Sequence, residues 1–185
     1  LASVDAALAA NEGDVAGIIV SPFRHDAFHD QEMPAPGFLP GLRERCDRLG
    51  ALLILDDVRA GFRLHLGGSG ERVGVQPDLT CYCKALGNGY AIAACLGREA
   101  LREPATRVFF TGSYWTCTVP MAAALACLHE LAASDAIGHM ERIGTQLRQG
   151  MERQAAVHRL EIRYTGPAAI PFMTFAADEG SFERS

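Results

Sequence analysis

Two short segments of the chain carry side chains that could do chemistry together. In residues 52–63 an apolar, strand-like run ends in two adjacent carboxylates, Asp56 and Asp57. Either one carboxylate caps the following turn while the other is solvated, or one of them faces a buried cation. In residues 81–89, Lys84 stands where an apolar run enters a glycine-containing turn. A lysine amine can lose its proton and attack a carbonyl, and an arginine cannot.

Lys84 is the single lysine in a chain with sixteen arginines. A genome rich in G and C would produce that bias without a functional cause. A lysine that survives among so many arginines nevertheless indicates a role that arginine cannot fill. The alternative is a lysine that extends its ammonium into solvent from a strand end.

Short apolar runs alternate with helical patterns along most of the chain. Strands are predicted at residues 16–20, 51–55, 80–83, 91–96 and 108–110, and helical spacing marks residues 3–10, 39–49, 117–131 and 140–151. The alternation predicts an α/β protein with a mostly parallel sheet and flanking helices. Ligands bind beyond the carboxyl ends of the strands in such sheets. Asp56, Asp57 and Lys84 all stand at such ends.

The pattern changes after residue 157 to two strand-like runs, at residues 160–164 and 170–175. We therefore expect residues 1–157 to belong to one large domain and residues 158–185 to begin a small α+β domain. The sequence opens inside a helical pattern and closes just after a strand-like run. We expect it to be a piece of a longer chain.

The composition of the 185 residues narrows the class of protein. The net charge is -5 and no basic run occurs, which argues against a nucleic-acid partner. The longest apolar run, residues 119–128, is too short to span a membrane, and the first 13 residues do not read as a signal peptide, so a cytoplasmic location is expected. The six cysteines form no CxxC pair and are predicted to be reduced, buried thiols, with zinc binding as the alternative.

Two further segments contain residue types that occur in binding sites. His25 and His29 are four residues apart beside Asp26 and Asp30, which on a helix would form a metal-binding face. The surrounding sequence favours a solvated loop, with substrate contact as the lesser alternative, and no metal is predicted. Residues 67–74 are glycine-rich but lack the GxGxxG spacing, so a flexible loop is predicted there.

The ordered motifs between residues 13 and 131 resemble those of the class III (ω-type) pyridoxal-phosphate (PLP) aminotransferases, including the glutamate-1-semialdehyde aminomutase branch. That family has an apolar strand with Asp-Glu-Val, a Gly-Phe-Arg turn, a Pro-Asp, and a lysine before a glycine-rich turn. The matching residues are Asp56, Asp57, Val58, Gly61, Phe62, Arg63, Pro77, Asp78, Lys84, Gly87 and Gly89. Lys84 follows Asp56 at the family's usual spacing of 28 residues. The resemblance implies a fold-type-I PLP-dependent transferase.

The resemblance also implies roles for three residues near the cofactor ring. Lys84 would hold the cofactor aldehyde as a Schiff base and then move the substrate proton. Asp56 would pair with the pyridine nitrogen and keep it protonated, so that the ring can accept electrons. Val58 would pack against one face of the ring.

Four other residues are implied in cofactor binding. Ser113 matches the hydroxyl residue that reaches the phosphate, usually in the neighbouring subunit, with Thr111 and the Gly112 amide assisting. This arrangement implies a homodimer with shared active sites. Arg59 would either face the cofactor or a substrate carboxylate, or point outward.

The implied reaction is amino transfer from an amine or amino acid to a carbonyl compound. A 2,1-aminomutase of the glutamate-1-semialdehyde type is the alternative in the same class, and a non-catalytic homologue is the alternative in another class. The chain departs from the family pattern at Asp57, which replaces a glutamate, at Ser21, which replaces a glutamate before Pro22, and at Ser113, which replaces a threonine.

Overall fold

A computed structural model describes residues 1–26 and 29–175 of the chain. Its main sheet has four strands in the order β1 (Gly17–Val20), β2 (Leu52–Asp56), β3 (Leu79–Tyr82) and β4 (Ala94–Gly97). The first three strands run parallel, and β4 runs antiparallel to β3. The predicted α/β fold with a mostly parallel sheet is confirmed.

Six α-helices accompany the sheet in the part of the chain that the structure describes. They are α1 (Ala2–Ala10), α2 (Phe38–Leu49), α3 (Ser69–Val73), α4 (Arg102–Ala105), α5 (Thr118–Ala133) and α6 (Ala136–His158). Single 3-10 turns cover Lys84–Leu86 and Glu99–Leu101. None of the helices in the described part of the chain is long and apolar enough to cross a bilayer.

The α2 helix covers one face of the parallel strands. Its buried side chains include Leu42 and Cys46, which pack against Leu53 of β2 in one apolar cluster. Complete burial of a leucine side chain contributes roughly 1.5–3 kcal/mol, so this face is a main source of stability. The helix ends at Gly50, whose left-handed backbone lets its N–H bond the carbonyls of the last turn.

A second apolar cluster joins the sheet to α5. Tyr82 at the end of β3, Leu86 in the turn that follows and Ala124 of α5 are all buried together. The α5 helix therefore packs against the segment that leads away from the carboxyl end of β3.

Two short strands lie outside the main sheet. The strands β5 (Arg163–Thr165) and β6 (Phe172–Thr174) pair antiparallel in a sheet of their own. They follow α6 directly, at the place where the sequence pattern changes. The division into domains at residue 157 stays a prediction.

Three sequence expectations about local structure are wrong. Residues 108–110 form no strand, and the side chains of Val108, Phe109 and Phe110 are exposed without a paired strand in the described residues. Residues 67–74 are not a plain loop, because α3 forms within them. The six cysteines are free, as expected, but only Cys46 is buried, and Cys95 is exposed.

Candidate active site

The carboxyl ends of β2 and β3 bring the two chemical segments of the sequence to one edge of the sheet. Asp56 is the last residue of β2 and pairs in register with Cys81 of the parallel neighbour β3. Lys84 follows the end of β3 and begins a 3-10 turn. This edge is where parallel sheets bind ligands.

Lys84 has a strained backbone and an available amine. Its φ of 41° is left-handed, a conformation that is uncommon for residues other than glycine and is often found at functional sites. The Lys84 carbonyl accepts a 3.0 Å hydrogen bond from the Asn88 N–H, which closes the turn. The side chain is exposed, and its ammonium forms no ion pair or hydrogen bond with the described residues.

Asp56 is half-buried and retains one available carboxylate oxygen. Its Oδ1 accepts a 3.2 Å hydrogen bond from the Val58 N–H, two residues further on. The Oδ2 atom accepts no hydrogen bond from the residues that the structure describes. This oxygen could therefore accept a hydrogen bond from a bound molecule.

Asp57 faces inward and holds the start of α3. The residue is 1% exposed; its Oδ1 accepts the Ser69 hydroxyl at 2.6 Å, and its Oδ2 accepts the Ser69 N–H at 2.8 Å. Burial raises the pKa of Asp57, an effect opposed by the Ser69 hydrogen bonds and strengthened by the charge of Asp56. Of the two roles left open for the aspartate pair, Asp57 therefore takes the capping role.

The α5 helix supports the turn that follows Lys84. The Cys127 thiol of α5 donates a 3.2 Å hydrogen bond to the carbonyl of Ala85. Sequence reasoning missed both Cys127 and Ser69. Cys127 lay within an apolar helical stretch, where a cysteine indicates packing, and Ser69 lay within a glycine-rich segment without a helical pattern.

Arg59 contacts a neighbouring loop. The half-buried side chain donates a 3.0 Å hydrogen bond from Nη1 to the carbonyl of His25. It therefore ties the loop after β1 to the segment after β2. The sequence had left open a cofactor-facing and an outward direction for this side chain.

Thr111, Gly112 and Ser113 lie in an irregular, exposed segment before α5. No hydrogen bond joins their side chains to Asp56 or Lys84 among the described residues; the Gly112 carbonyl accepts one from the Trp115 N–H at 3.2 Å. The structure thus brings Asp56, Val58 and Lys84 to one edge of the sheet. Thr111, Gly112 and Ser113 lie in a separate surface segment.

Curated proteins similar to the chain include two aminotransferases and one aminomutase by name. An aminopentol aminotransferase from Sphingopyxis macrogoltabida is 42% identical over 176 residues, which cover 95% of this chain and 42% of the relative. A 3-aminobutyryl-CoA aminotransferase from Cloacimonas acidaminovorans is 34% identical, with 97% and 44% covered. A glutamate-1-semialdehyde 2,1-aminomutase from Roseiflexus castenholzii is 38% identical, with 97% and 41% covered. The chain therefore spans less than half the length of these relatives.

Solved structures match the same region. The FumI protein from Sphingopyxis sp. MTA144, solved in its PLP internal aldimine form, superposes with a TM-score of 0.92 at 42% identity, covering 96% of this chain and 43% of that one. A β-phenylalanine aminotransferase from Variovorax paradoxus superposes with a TM-score of 0.78 at 26% identity, covering 97% and 43%. The family model for class-III aminotransferases matches residues 1–169. The chain belongs to the class-III aminotransferase family.

Proposed function

We propose that the protein containing this chain is a PLP-dependent aminotransferase that moves an amino group between a small amine or amino acid and a carbonyl compound. The observation that carries the proposal is the pair of available groups at one sheet edge. Within residues 1–26 and 29–175, Lys84 offers an amine without a protein partner, and Asp56 offers a carboxylate oxygen without one. An amine suits the aldehyde of PLP, and a carboxylate suits its pyridine nitrogen.

When bound, PLP supplies an electron sink for the carbon that gives up its proton. In our proposal Lys84 would hold the cofactor, and its Nζ would carry a proton to and from the substrate. Asp56 would hold the ring nitrogen with its available carboxylate oxygen and would favour the positive charge there. Val58 would pack on the ring, at a position that its own N–H bond to Asp56 helps to fix.

A 2,1-aminomutase is the second candidate, because the aminomutase from Roseiflexus castenholzii is 38% identical to the chain. The same lysine and aspartate would serve either reaction. The relatives' names point to an aminopentol, a CoA thioester and a semialdehyde, so they leave the substrate open. An assay that follows the amino group separates the two reactions, since a transaminase passes it to a second molecule and an aminomutase returns it to the same one.

The proposal includes a homodimer and a cytoplasmic location. Seven large apolar side chains next to α5 and at its start are 44–91% exposed, and we name this surface the 108–121 patch: Val108, Phe109, Phe110, Tyr114, Trp115, Val119 and Met121. Exposed clusters of large apolar side chains often mark surfaces that bind another protein surface. Thr111, Gly112 and Ser113 lie within the same segment, so pairing through it would carry them toward a second subunit and its cofactor phosphate.

Borohydride trapping tests the cofactor assignment. The chain, and a longer protein that contains it, are incubated with PLP, reduced, digested and searched for the pyridoxyl mass by mass spectrometry. We expect the label on Lys84, the only lysine in this sequence, where the competing amine is the amino terminus. Lys84→Arg keeps the positive charge and should abolish the label, whereas Asp56→Asn should weaken it at low cofactor concentration. A longer protein labelled only elsewhere would refute the proposal and favour a non-catalytic homologue.

A further inference from the structure

Two cysteines face each other across the antiparallel edge of the main sheet. Cys81 of β3 and Cys95 of β4 are partners in register, and their Sγ atoms lie 4.0 Å apart. Directly opposed residues of antiparallel strands have Cα atoms about 4.5–5.5 Å apart. Disulfides accept Cα separations of about 4.4–6.8 Å. The backbone therefore already holds the pair at a distance that a disulfide requires, and only side-chain rotation is needed to close it.

We propose that Cys81 and Cys95 form an oxidative modification site, a cross-strand dithiol that a peroxide closes to a disulfide. Two of the other four cysteines are held by different contacts. Cys46 is fully buried in the apolar cluster beneath α2, and the Cys127 thiol donates a hydrogen bond to the Ala85 carbonyl. Among the described residues, Cys81 and Cys95 are the two cysteines whose sulfur atoms contact each other.

The exposures of the two thiols assign the order of the chemistry. Cys95 is exposed, so its sulfur is the one that a peroxide reaches first. The Cys95 thiolate attacks one peroxide oxygen and the O–O bond breaks, so that Cys95 becomes a sulfenic acid. The hydroxide that leaves takes up the proton that the Cys95 thiol had released and becomes the first water. The Cys81 sulfur then attacks the Cys95 sulfur, the S–O bond breaks, and a second water leaves with the Cys81 proton. Each sulfur gives up one electron, and the peroxide gains two.

Cys81 is suited to the second step. It is half-buried, and burial, together with the neighbouring Cys95 and the nearby Asp56, raises the pKa of its thiol. A thiol kept protonated is a poor first target for peroxide. It nevertheless remains beside Cys95, where a sulfenic acid would form within reach.

The site lies next to the candidate active site. Cys81 is the register partner of Asp56 on β2, and Lys84 stands three positions after Cys81. A bond between Cys81 and Cys95 closes a covalent loop around the segment that carries Lys84. Oxidation would therefore restrict the backbone that presents the lysine.

Non-reducing peptide mapping tests the inference independently of catalysis and of cofactor. The reduced chain, free of PLP, is treated with hydrogen peroxide, alkylated, and digested with trypsin and chymotrypsin. Cleavage after Lys84 separates Cys81 from Cys95, and cleavage after Tyr82 separates Cys81 from Cys83. We expect a peptide pair that links Cys81 to Cys95, is lighter by two hydrogens than the two free peptides together, and separates when a thiol reductant is added.

Two variants make the assignment specific. Cys95→Ser changes an exposed side chain and should abolish the linked peptide, whereas Cys83→Ser, two residues from Cys81 on the same segment, should leave it unchanged. Three results would each overturn the proposal. They are a disulfide between Cys95 and Cys83, a linked peptide that persists in Cys95→Ser, and oxidation of Cys95 to a sulfinic acid without any disulfide.

Discussion

At the scale of single residues, two adjacent aspartates have opposite environments. Asp56 keeps a carboxylate oxygen available at the edge of the sheet. Asp57 is buried, and both of its oxygens accept hydrogen bonds from Ser69. The alternation of side chains along an extended segment explains this difference, because consecutive residues point to opposite faces. A carboxylate that is available to a ligand can therefore immediately precede, in the sequence, a carboxylate that only stabilises the fold.

Asp57→Asn is expected to retain the fold and to remove a pH dependence of stability. The asparagine Oδ1 can accept the Ser69 N–H, and its Nδ2 can donate to the Ser69 hydroxyl, so the amide is fully bonded. Burial raises the native pKa of Asp57 above its ordinary value of 3.8. Its contribution to stability is therefore complete below that pH and falls as the pH rises through the native pKa. The variant should gain stability relative to the parent chain as the pH rises from 3.8 through the native pKa of Asp57.

Urea denaturation at several pH values checks this expectation. The matched control is Asp57→Ala, which leaves the buried Ser69 N–H without its partner and should cost about 1–3 kcal/mol at every pH. Equal pH profiles for the parent chain and Asp57→Asn would contradict the assignment of a raised pKa to Asp57.

The sequence predicts only part of the residue-scale picture. Asp56 and Lys84 could be found because each follows an apolar strand and because their spacing matches a family pattern. The bond between Asp57 and Ser69 spans an irregular segment of 12 positions, and no periodicity describes the path of such a segment. Whether Arg59 points outward or toward the cofactor likewise depends on where the loop after β1 passes, and the His25 carbonyl becomes its partner only in the folded chain.

At the scale of elements, Asp78 joins a helix to two strands. The Asp78 residue is 2% exposed. Its Oδ2 accepts a 2.6 Å hydrogen bond from the Arg43 guanidinium of α2 and a 2.7 Å hydrogen bond from the Leu53 N–H of β2. Its Oδ1 forms a 2.7 Å ion pair with Arg98, which follows β4. Burial opposes the charge of Asp78, but the Leu53 and arginine contacts outweigh it and lower its pKa. The Pro-Asp motif noted in the sequence therefore has a structural role at the start of β3.

Asp78→Asn should destabilise the chain strongly at neutral pH. The substitution removes the charge that Arg43 and Arg98 share, and loss of one partner from a buried pair costs about 3–5 kcal/mol. We expect the lower end of that range, because Arg98 is 48% exposed and water can replace part of its contact. Because the native pKa of Asp78 is lowered, its contribution is present above pH 3.8 and is lost as the pH falls through the native value.

Chemical denaturation at pH 7 and at pH 3 measures both parts of this prediction. Asp47→Asn is the matched control, since Asp47 contacts the same Arg43 at 2.8 Å but is 64% exposed, and it should cost less than about 1 kcal/mol. Similar losses for the two variants at pH 7 would show that burial of Asp78 is not the source of the effect.

The apolar composition of short segments predicts the parallel strands of the sheet. The three parallel strands are short apolar runs, and the structure places each within one residue of its predicted start. The failed strand at residues 108–110 has the same apolar composition, but its three side chains are 67%, 91% and 71% exposed. Composition alone cannot distinguish an apolar segment that forms a strand of the sheet from one whose apolar side chains stay exposed on the surface.

At the scale of the whole chain, the 108–121 patch and α5 leave apolar surface that no other part of the described residues covers. Of the 16 residues of α5, only Ala124 is buried, although the helix is apolar on most of its sides. A helix that is apolar all round is ordinarily buried. The exposed rings of Phe110 and Trp115 lie 5.0 Å apart and add to the same surface. This surface is the basis for proposing that two copies pair here.

Phe109→Glu should therefore weaken self-association while leaving the fold intact, because the Phe109 side chain is 91% exposed and contributes little to the chain's own core. Sedimentation velocity over a concentration series should show the parent chain moving from 19.9 kDa toward twice that mass, and the variant remaining at the lower value. Leu49→Glu, at the end of α2 and 48% exposed, is the control and should behave as the parent does. If Phe109→Glu and the parent chain sediment alike at every concentration, the patch is not the subunit interface, and the assignment of Ser113 to a neighbouring cofactor loses its structural basis.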